Sequence, residues 1–441
     1  MANNNFLKLN DSVETIVIED KIFFVDYDHG KVSYILHNNQ EKNYKELLGS
    51  IDNDTISMLT QSGFIASNEE PKIVLNREHI LRDFANKSDL LHYILLPSED
   101  CNFRCTYCYE TLKKLAMDKN IISAIKKNIK LRAEKYKGIF IDWFGGEPLL
   151  EIPTILEISN YAKTIAAEEN KEYYSHITTN GYFLTVGNVR DLIAAGVRHF
   201  TVTIDGTSKS HDKTRVLPDG GGTFNTIFSN ITQLKETDID FNIKFRCNLN
   251  NQNYEGIKEL IYIIGNLASD DPRFSDINIR TVANYNDVLD DKQTLLDRKE
   301  SGKQVYELLY EAAKLGLFDR SIAPSFLRGG SVCYAATPDV YIIGADGTIM
   351  KCSIDLRENP DNIVGNLEPD GNMVLNENKL KTWNVDLNKN KESCSKCKKW
   401  FSCMGNSCPK AYNDGYSASC PDVFEYIHES LKLLMLETEW K

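Results

Sequence analysis

The sequence predicts an α/β protein: a core of parallel strands alternating with helices, a small α+β unit before it and a cysteine-rich segment after it. Three observations predict this order. From about residue 90, short apolar runs of strand type recur between longer runs of helical periodicity. Ahead of them, three strand-like runs sit close together within the first 66 residues. Beyond about residue 320 the alternation stops, and glycine, asparagine and cysteine dominate. The expected division is 1–85, 86–320 and 321–441.

The N-terminal strands are expected at VETIVI, KIFFVDY and KVSYILH, with DYDHGK as hairpin punctuation between the second and third. Two short helices follow, KNYKELLGS and NDTISMLTQSGFI, and the charged stretch SNEEPKIVLNREH reads as a connector. A unit this small needs to pack on something larger. The core strands are expected at LHYILLP, GIFIDWFGG, YYSHITTNG, HFTVTIDG, IDFNIKFRC and INIRTVANY, with helices such as NIISAIKKNIKLRAEKY between most of them. Six such units in series imply a parallel sheet, either open or closed into a full or partial barrel. In these folds the site lies at the C-terminal strand ends. There the chain places three cysteines after the first strand, GGEP after the second, TTNG after the third and IDG after the fourth.

The chain has 441 residues, 42% hydrophobic and 26% charged, and its 51 Lys and Arg against 63 Asp and Glu leave a net charge of −12. That balance argues against a nucleic-acid partner. MANNNFLKLNDS lacks the apolar segment of a secretion signal, and no apolar run approaches the roughly 20 residues of a membrane span, so the expectation is a cytoplasmic protein without a membrane partner. Eleven cysteines there are read as metal ligands before disulfides. Cys247 stands apart in a strand and reads as a packed thiol.

Cys101, Cys105 and Cys108 have the spacing C-x3-C-x2-C. Zinc with three thiolates and a water is one reading. The other is a cubane iron–sulfur cluster with each thiolate on a different iron, leaving the fourth iron bare to chelate the amino and carboxylate groups of a small molecule.

The triad, with Tyr107 between its last two cysteines and GGEP at Gly145 to Pro148, resembles the radical S-adenosylmethionine superfamily. The resemblance implies a partial (β/α)6 barrel of TIM type, S-adenosylmethionine on the bare iron, and one-electron cleavage to a 5′-deoxyadenosyl radical that abstracts hydrogen. It makes Cys101, Cys105 and Cys108 the catalytic ligands. Gly145, Gly146 and Glu147 would receive the methionine amino group, although the glycines also suit a tight strand-end turn. Asn180 and Thr203 would reach the ribose or carboxylate, or merely cap their strands. Arg215 would grip the carboxylate or form a surface ion pair. Tyr107 would flank the adenine, while Asp205 and Gly206 shape the loop.

The C-terminal cysteines resemble the SPASM extension of radical enzymes that modify peptides. By that resemblance Cys394, Cys397, Cys403 and Cys420 complete one auxiliary [4Fe-4S] cluster. Cys333, Cys352 and Cys408 hold another that is one ligand short, giving three clusters in all; zinc ribbons are the alternative. Four residues rather than three separate Cys403 from Cys408. The N-terminal unit loosely resembles the PqqD-type, winged-helix-like domain that grips a leader peptide as an added strand. Together these imply a peptide maturase that abstracts hydrogen from a ribosomally made precursor with a leader and forms a thioether, carbon–carbon or ether crosslink. The auxiliary clusters would carry away the leftover electron, and a flavodoxin or ferredoxin would be the donor. A sulfatase-maturing enzyme making formylglycine is the alternative. Against it, Ser353 stands where that family has its general-base aspartate, and Asp355 comes two residues later. A non-catalytic iron–sulfur protein for electron transfer or binding is the reading from another class.

Overall fold

The computed structural model describes residues 9–10, 12–36, 52–66, 77–86, 89–284, 295–386, 391–405, 408–415 and 420–440. The chain forms two compact units rather than three consecutive segments. One comprises 1–86, 321–333 and 385–434; the other comprises 87–320, 334–384 and 435–441. Breaks lie near 86 and 320, but the cysteine-rich tail is shared between the units instead of forming one of its own.

In the first unit, β1 (Val13–Ile18), β2 (Lys21–Asp26) and β3 (Lys31–Leu36) form an antiparallel sheet with β2 in the middle. Ile18 pairs with Lys21 across a two-residue loop, which Glu19 enters with φ of 56°. In the next turn the Asp26 carboxylate accepts from the backbone N–H of Asp28 and of His29, at 3.1 and 3.3 Å. Helix α1 (Asn53–Gln61) starts at Asp52, whose side chain caps Thr55 N at 2.8 Å. Its Leu59, with Phe64 and Ile65, buries Val13, Ile22 and Phe24 of the sheet. Helix α2 (Arg77–Asn86) also belongs to this unit. The helix expected at KNYKELLGS and most of the connector lie outside the described residues.

The second unit is built on six parallel strands in sequential order: β4 (Leu90–Ser98), β5 (Gly138–Gly145), β6 (Glu172–Thr179), β7 (His199–Thr203), β8 (Asn242–Leu249) and β9 (Asp276–Thr281). Helices connect them: α3 (Lys119–Ala133), α4 (Ile152–Glu168), α5 (Val186–Ala194), α6 (Ser208–Thr214), α7 (Phe224–Lys235) and α8 (Tyr254–Ala268). The alternation is plain in β5, where Ile139, Ile141 and Trp143 are fully buried with half-buried Phe140, Asp142 and Phe144 between them, and it recurs in β8. Cys247 is fully buried in β8, as expected of a packed thiol.

Among the described residues β4 and β9 do not pair, so the parallel sheet is open. The free edge of β4 instead takes β10 (Val340–Ile343) in parallel, with Val340 opposite His92. Antiparallel strands β11 (Thr348–Met350), β12 (Ile363–Leu367) and β13 (Met373–Leu375) extend it to ten strands. No described helix is long and apolar enough to cross a membrane.

Candidate active site

The loop after β4 carries the cysteine triad and is fixed by its own backbone. Asp100 Oδ1 accepts from Cys101 N at 2.8 Å, Arg104 N donates to Val216 O at 2.7 Å and Thr106 N donates to Thr214 O at 2.9 Å. The Cys101 sulfur accepts from Phe103 N at 3.3 Å and faces Asn180 Nδ2 at 3.9 Å. Burial pushes the Cys101 and Cys108 thiols up to about 12 and raises Cys105 as well. They are therefore protonated near neutral pH.

Gly145 and Gly146 end β5 directly against this loop. A Cβ on Gly146 would stand 2.3 Å from Asp100 O, and one on Gly145, at φ of +108°, would stand 2.4 Å from Ser98 O. Both glycines are thus required for the backbone of GGEP to lie on the backbone of the cysteine loop. Glu147 N completes that contact by donating to Asp100 O at 2.9 Å.

The Glu147 side chain is fully buried and links two motif loops. Its Oε1 accepts from Thr179 Oγ1 at 2.7 Å and Leu149 N at 3.0 Å, and its Oε2 accepts from Asn180 N at 2.7 Å. Burial raises its pKa, and the three donors oppose that. Asn180 in turn donates through Nδ2 to Asn102 Oδ1 at 2.8 Å and accepts Tyr182 N at 2.9 Å. The carboxylate thereby locks TTNG to GGEP.

A second buried network forms around Asp205. Its Oδ1 accepts Asn248 N at 2.7 Å, and its Oδ2 accepts the Tyr107 hydroxyl. The same hydroxyl accepts from Arg215 Nη1 at 2.8 Å and Asn248 Nδ2 at 3.2 Å. Arg215 is buried and passes 5.7 Å from the Phe103 ring centroid. Burial raises the Asp205 pKa, while the neighbouring Arg215 charge and the Tyr107 hydrogen bond lower it. His211 supports the network from below. It is fully buried, its Nδ1 accepts Asp205 N at 3.1 Å, and its Nε2 therefore donates to Thr223 Oγ1 at 3.0 Å. Burial, reinforced by Arg215, pushes its pKa down to about 2.

The structure therefore gathers Cys101, Cys105, Cys108, Tyr107, Gly145, Gly146, Glu147, Asn180 and Arg215 around one set of loops. Thr203 is buried as the last residue of β7, opposite Arg246. Sequence reading left out Asn102, Asn248, His211 and Glu110. Asn248 had a signal, since it lies on the same face of β8 as Arg246 at a strand end; Glu110 had only its nearness to Cys108. Burial, with Glu358, Glu99 and Glu147 nearby, pushes Glu110 up to about 8.

The residues fit a cluster with a charged small molecule. The donor set is three thiols on one loop, and two buried donors beside it, Asn102 Nδ2 and Arg215 Nε, have no acceptor among the described residues. Among those residues no three His, Cys, Asp or Glu side chains already stand at metal-binding spacing.

In the first unit, Cys394 lies in a 3₁₀ turn (Glu392–Lys396), Cys397 directly follows that turn, and Cys403 ends the four-residue helix Trp400–Cys403. Burial, with Cys397, Cys394 and Cys420 nearby, pushes the Cys403 thiol up to about 11. Cys408 and Cys420 are exposed. Cys333 and Cys408 belong to the first unit, whereas buried Cys352 belongs to the second.

Residues 95–262 match the family model described as the Radical SAM superfamily. A cysteine-type anaerobic sulfatase-maturating enzyme of Clostridium novyi is 32% identical over 164 residues, 35% of this chain and 42% of that protein. The radical SAM cyclopropyl synthase TigE of Paramaledivibacter caminithermalis is 27% identical over 216 residues, 43% of each chain. The chain thus spans about two fifths of the length of these curated relatives. Among solved structures, native anSMEcpe with bound AdoMet superposes with a TM-score of 0.58 at 16% identity, over 80% of this chain and 100% of that one. Streptococcus suis SuiB bound to precursor peptide SuiA gives 0.50 at 14% identity, over 93% and 98%. These likenesses show a shared fold. The chain carries a radical SAM domain over residues 95–262.

Proposed function

We propose that this chain is a peptide maturase that abstracts hydrogen from a ribosomally made precursor and crosslinks it within the same peptide through a thioether, carbon–carbon or ether bond. The observation that carries the reading is the small three-stranded sheet standing before a radical SAM core. Among the described residues β3 pairs only with β2, and its outer edge is where a strand of a leader peptide would add. The fold likeness to SuiB, a structure bound to its precursor peptide, takes in 93% of the chain, against 80% for anSMEcpe.

S-adenosylmethionine bound to a reduced cluster supplies a 5′-deoxyadenosyl radical. The chain's own residues hold and orient it. Cys101, Cys105 and Cys108 would ligate the cluster, with Phe103 N and Asn180 Nδ2 directed at the Cys101 sulfur. Glu147 and the two glycines keep the strand edge against that loop. Arg215 and Asn102 offer buried donors to a carboxylate, and Tyr107 is held rigid by Asp205, Asn248 and Arg215. Cys394, Cys397, Cys403 and Cys420 would hold one auxiliary cluster. Flavodoxin or ferredoxin would deliver the electron, and the setting would be the cytoplasm.

The sequence match to a sulfatase-maturating enzyme keeps formylglycine formation as a second reading. Against it, Asp355 is buried and accepts Asn359 Nδ2 at 2.9 Å, while Ser353 accepts a hydrogen bond from the Tyr334 hydroxyl at 2.7 Å. The test is anaerobic reconstitution followed by reaction with a leader-bearing precursor, a leaderless core peptide and a sulfatase-type peptide. A product lighter by two hydrogens, formed only from the leader-bearing peptide, supports the maturase. Formylglycine from the sulfatase-type peptide would replace it with the second reading.

A further inference from the structure

Arg77 opens helix α2, far from the cysteine-rich tail in sequence, yet lies on it within the first unit. Its Nη1 donates to Cys394 O at 2.7 Å and its Nη2 to Cys397 O at 3.3 Å. Its Cζ stands 4.6 Å from the centroid of the Trp400 ring, a side chain with no exposure. One planar cation is therefore fixed three ways against the segment that carries Cys394, Cys397 and Cys403. The segment has a separate anchor as well, since Lys398 Nζ donates to Val13 O. Two carbonyls and a ring would be enough to hold a loop without a charge; what the guanidinium adds is a permanent positive charge beside the thiol group.

We infer that Arg77 is a positioning residue that sets the reduction potential of the iron–sulfur cluster on Cys394, Cys397, Cys403 and Cys420; this rests on the auxiliary-cluster reading above. Four thiolates make a cluster net negative, and one-electron reduction adds a further negative charge. A fixed cation close by favours that reduced form, and more strongly where burial limits screening. Net charge and hydrogen bonding around the ligands are the levers by which a protein moves such potentials. By pinning the carbonyls of two ligand residues, Arg77 also keeps its own distance from the cluster constant in both redox states.

The test is redox titration of the reconstituted full chain by electron paramagnetic resonance, with iron counted beside it, in wild type, R77K, R77Q and a variant with Cys394, Cys397, Cys403 and Cys420 all changed to Ala. The four-cysteine variant identifies which signal belongs to these ligands. The expected result is that R77Q lowers the midpoint of that signal alone, with about a tenfold fall in the ratio of reduced to oxidised cluster at fixed potential, equal to about 59 mV for one electron. R77K, which keeps the charge, stays much closer to wild type. A midpoint unmoved in R77Q overturns the inference and leaves the cluster reading intact. Equal loss of iron in R77K and R77Q, with the remaining signal unmoved, also overturns it, because Arg77 then only holds the loop. Iron unchanged in the four-cysteine variant instead removes the cluster reading itself.

Discussion

The loop from Cys101 to Cys108 leaves a nine-residue strand inside a ten-stranded sheet and is tied to its neighbours through buried backbone contacts and Glu147. The segment from Cys394 to Cys403 rests on a five-residue 3₁₀ turn and a four-residue helix, held by Trp400, Arg77 and Lys398. In the first region the fold fixes the backbone of the cysteine loop by its own hydrogen bonds. The second has too little regular structure for that, so a metal bound there would contribute directly to local stability.

The strongest test of this contrast removes each cysteine set. Changing Cys101, Cys105 and Cys108 to Ala should abolish cofactor cleavage while amide exchange in β4 to β6 stays at wild-type protection. Changing Cys394, Cys397, Cys403 and Cys420 to Ala should raise exchange across 391–405. Equal loss of protection in both regions would break the comparison.

A smaller effect is expected from G146A. The new methyl group would stand 2.3 Å from Asp100 O, so the GGEP edge or the cysteine loop must shift. A displacement approaching an ångström at a positioned site costs up to about 100-fold in rate. The rate of 5′-deoxyadenosine release should fall by about 10- to 100-fold with iron content retained.

The His211 support can be read through pH. Its folded pKa of about 2 lies below the ordinary 6.5, so under acid conditions the unfolded chain binds a proton that the folded chain does not. Stability from this group is complete above pH 6.5 and falls with decreasing pH, by about 1.4 kcal/mol per unit. Between pH 6.5 and 4.5 wild type should lose about 2–3 kcal/mol more than H211N in denaturant titrations of the second unit. Parallel curves would show that His211 does not set the acid sensitivity of the Asp205 network.

The smallest change is expected from Y107F, which leaves Asp205 Oδ2, Arg215 Nη1 and Asn248 Nδ2 each short of one partner. Roughly 1–2 kcal/mol should be lost at neutral pH. The denaturant midpoint would measure it, and an unchanged value would mean that water replaces the hydroxyl.

Much of the second unit was legible because parallel strands buried on one face leave period-two apolar runs, and because each motif falls where such a run ends. The six core strands were readable for that reason. What was not readable came from pairings distant in sequence. Nothing in VYII shows that Val340–Ile343 lies beside β4, since the pattern of a short apolar strand does not name its partner. Glu147 has the sequence signature of a motif acid but not of a carboxylate that locks Thr179 and Asn180 in place. Tyr107 reads as an aromatic beside cysteines; its contacts with Asp205 and Asn248 depend on the ends of two later strands. The division of the tail between two units was hidden because its elements are too short to carry a period.

The parallel pairing of β10 with β4 bears on how the protein is made. The strand leading into the first cysteine loop has one flank without its partner until residues 340–343 have been synthesised. A nascent chain stalled earlier would expose that flank as a template for other extended segments. Ribosome-arrested chains ending before and after this strand should therefore differ in chaperone capture and in protease resistance.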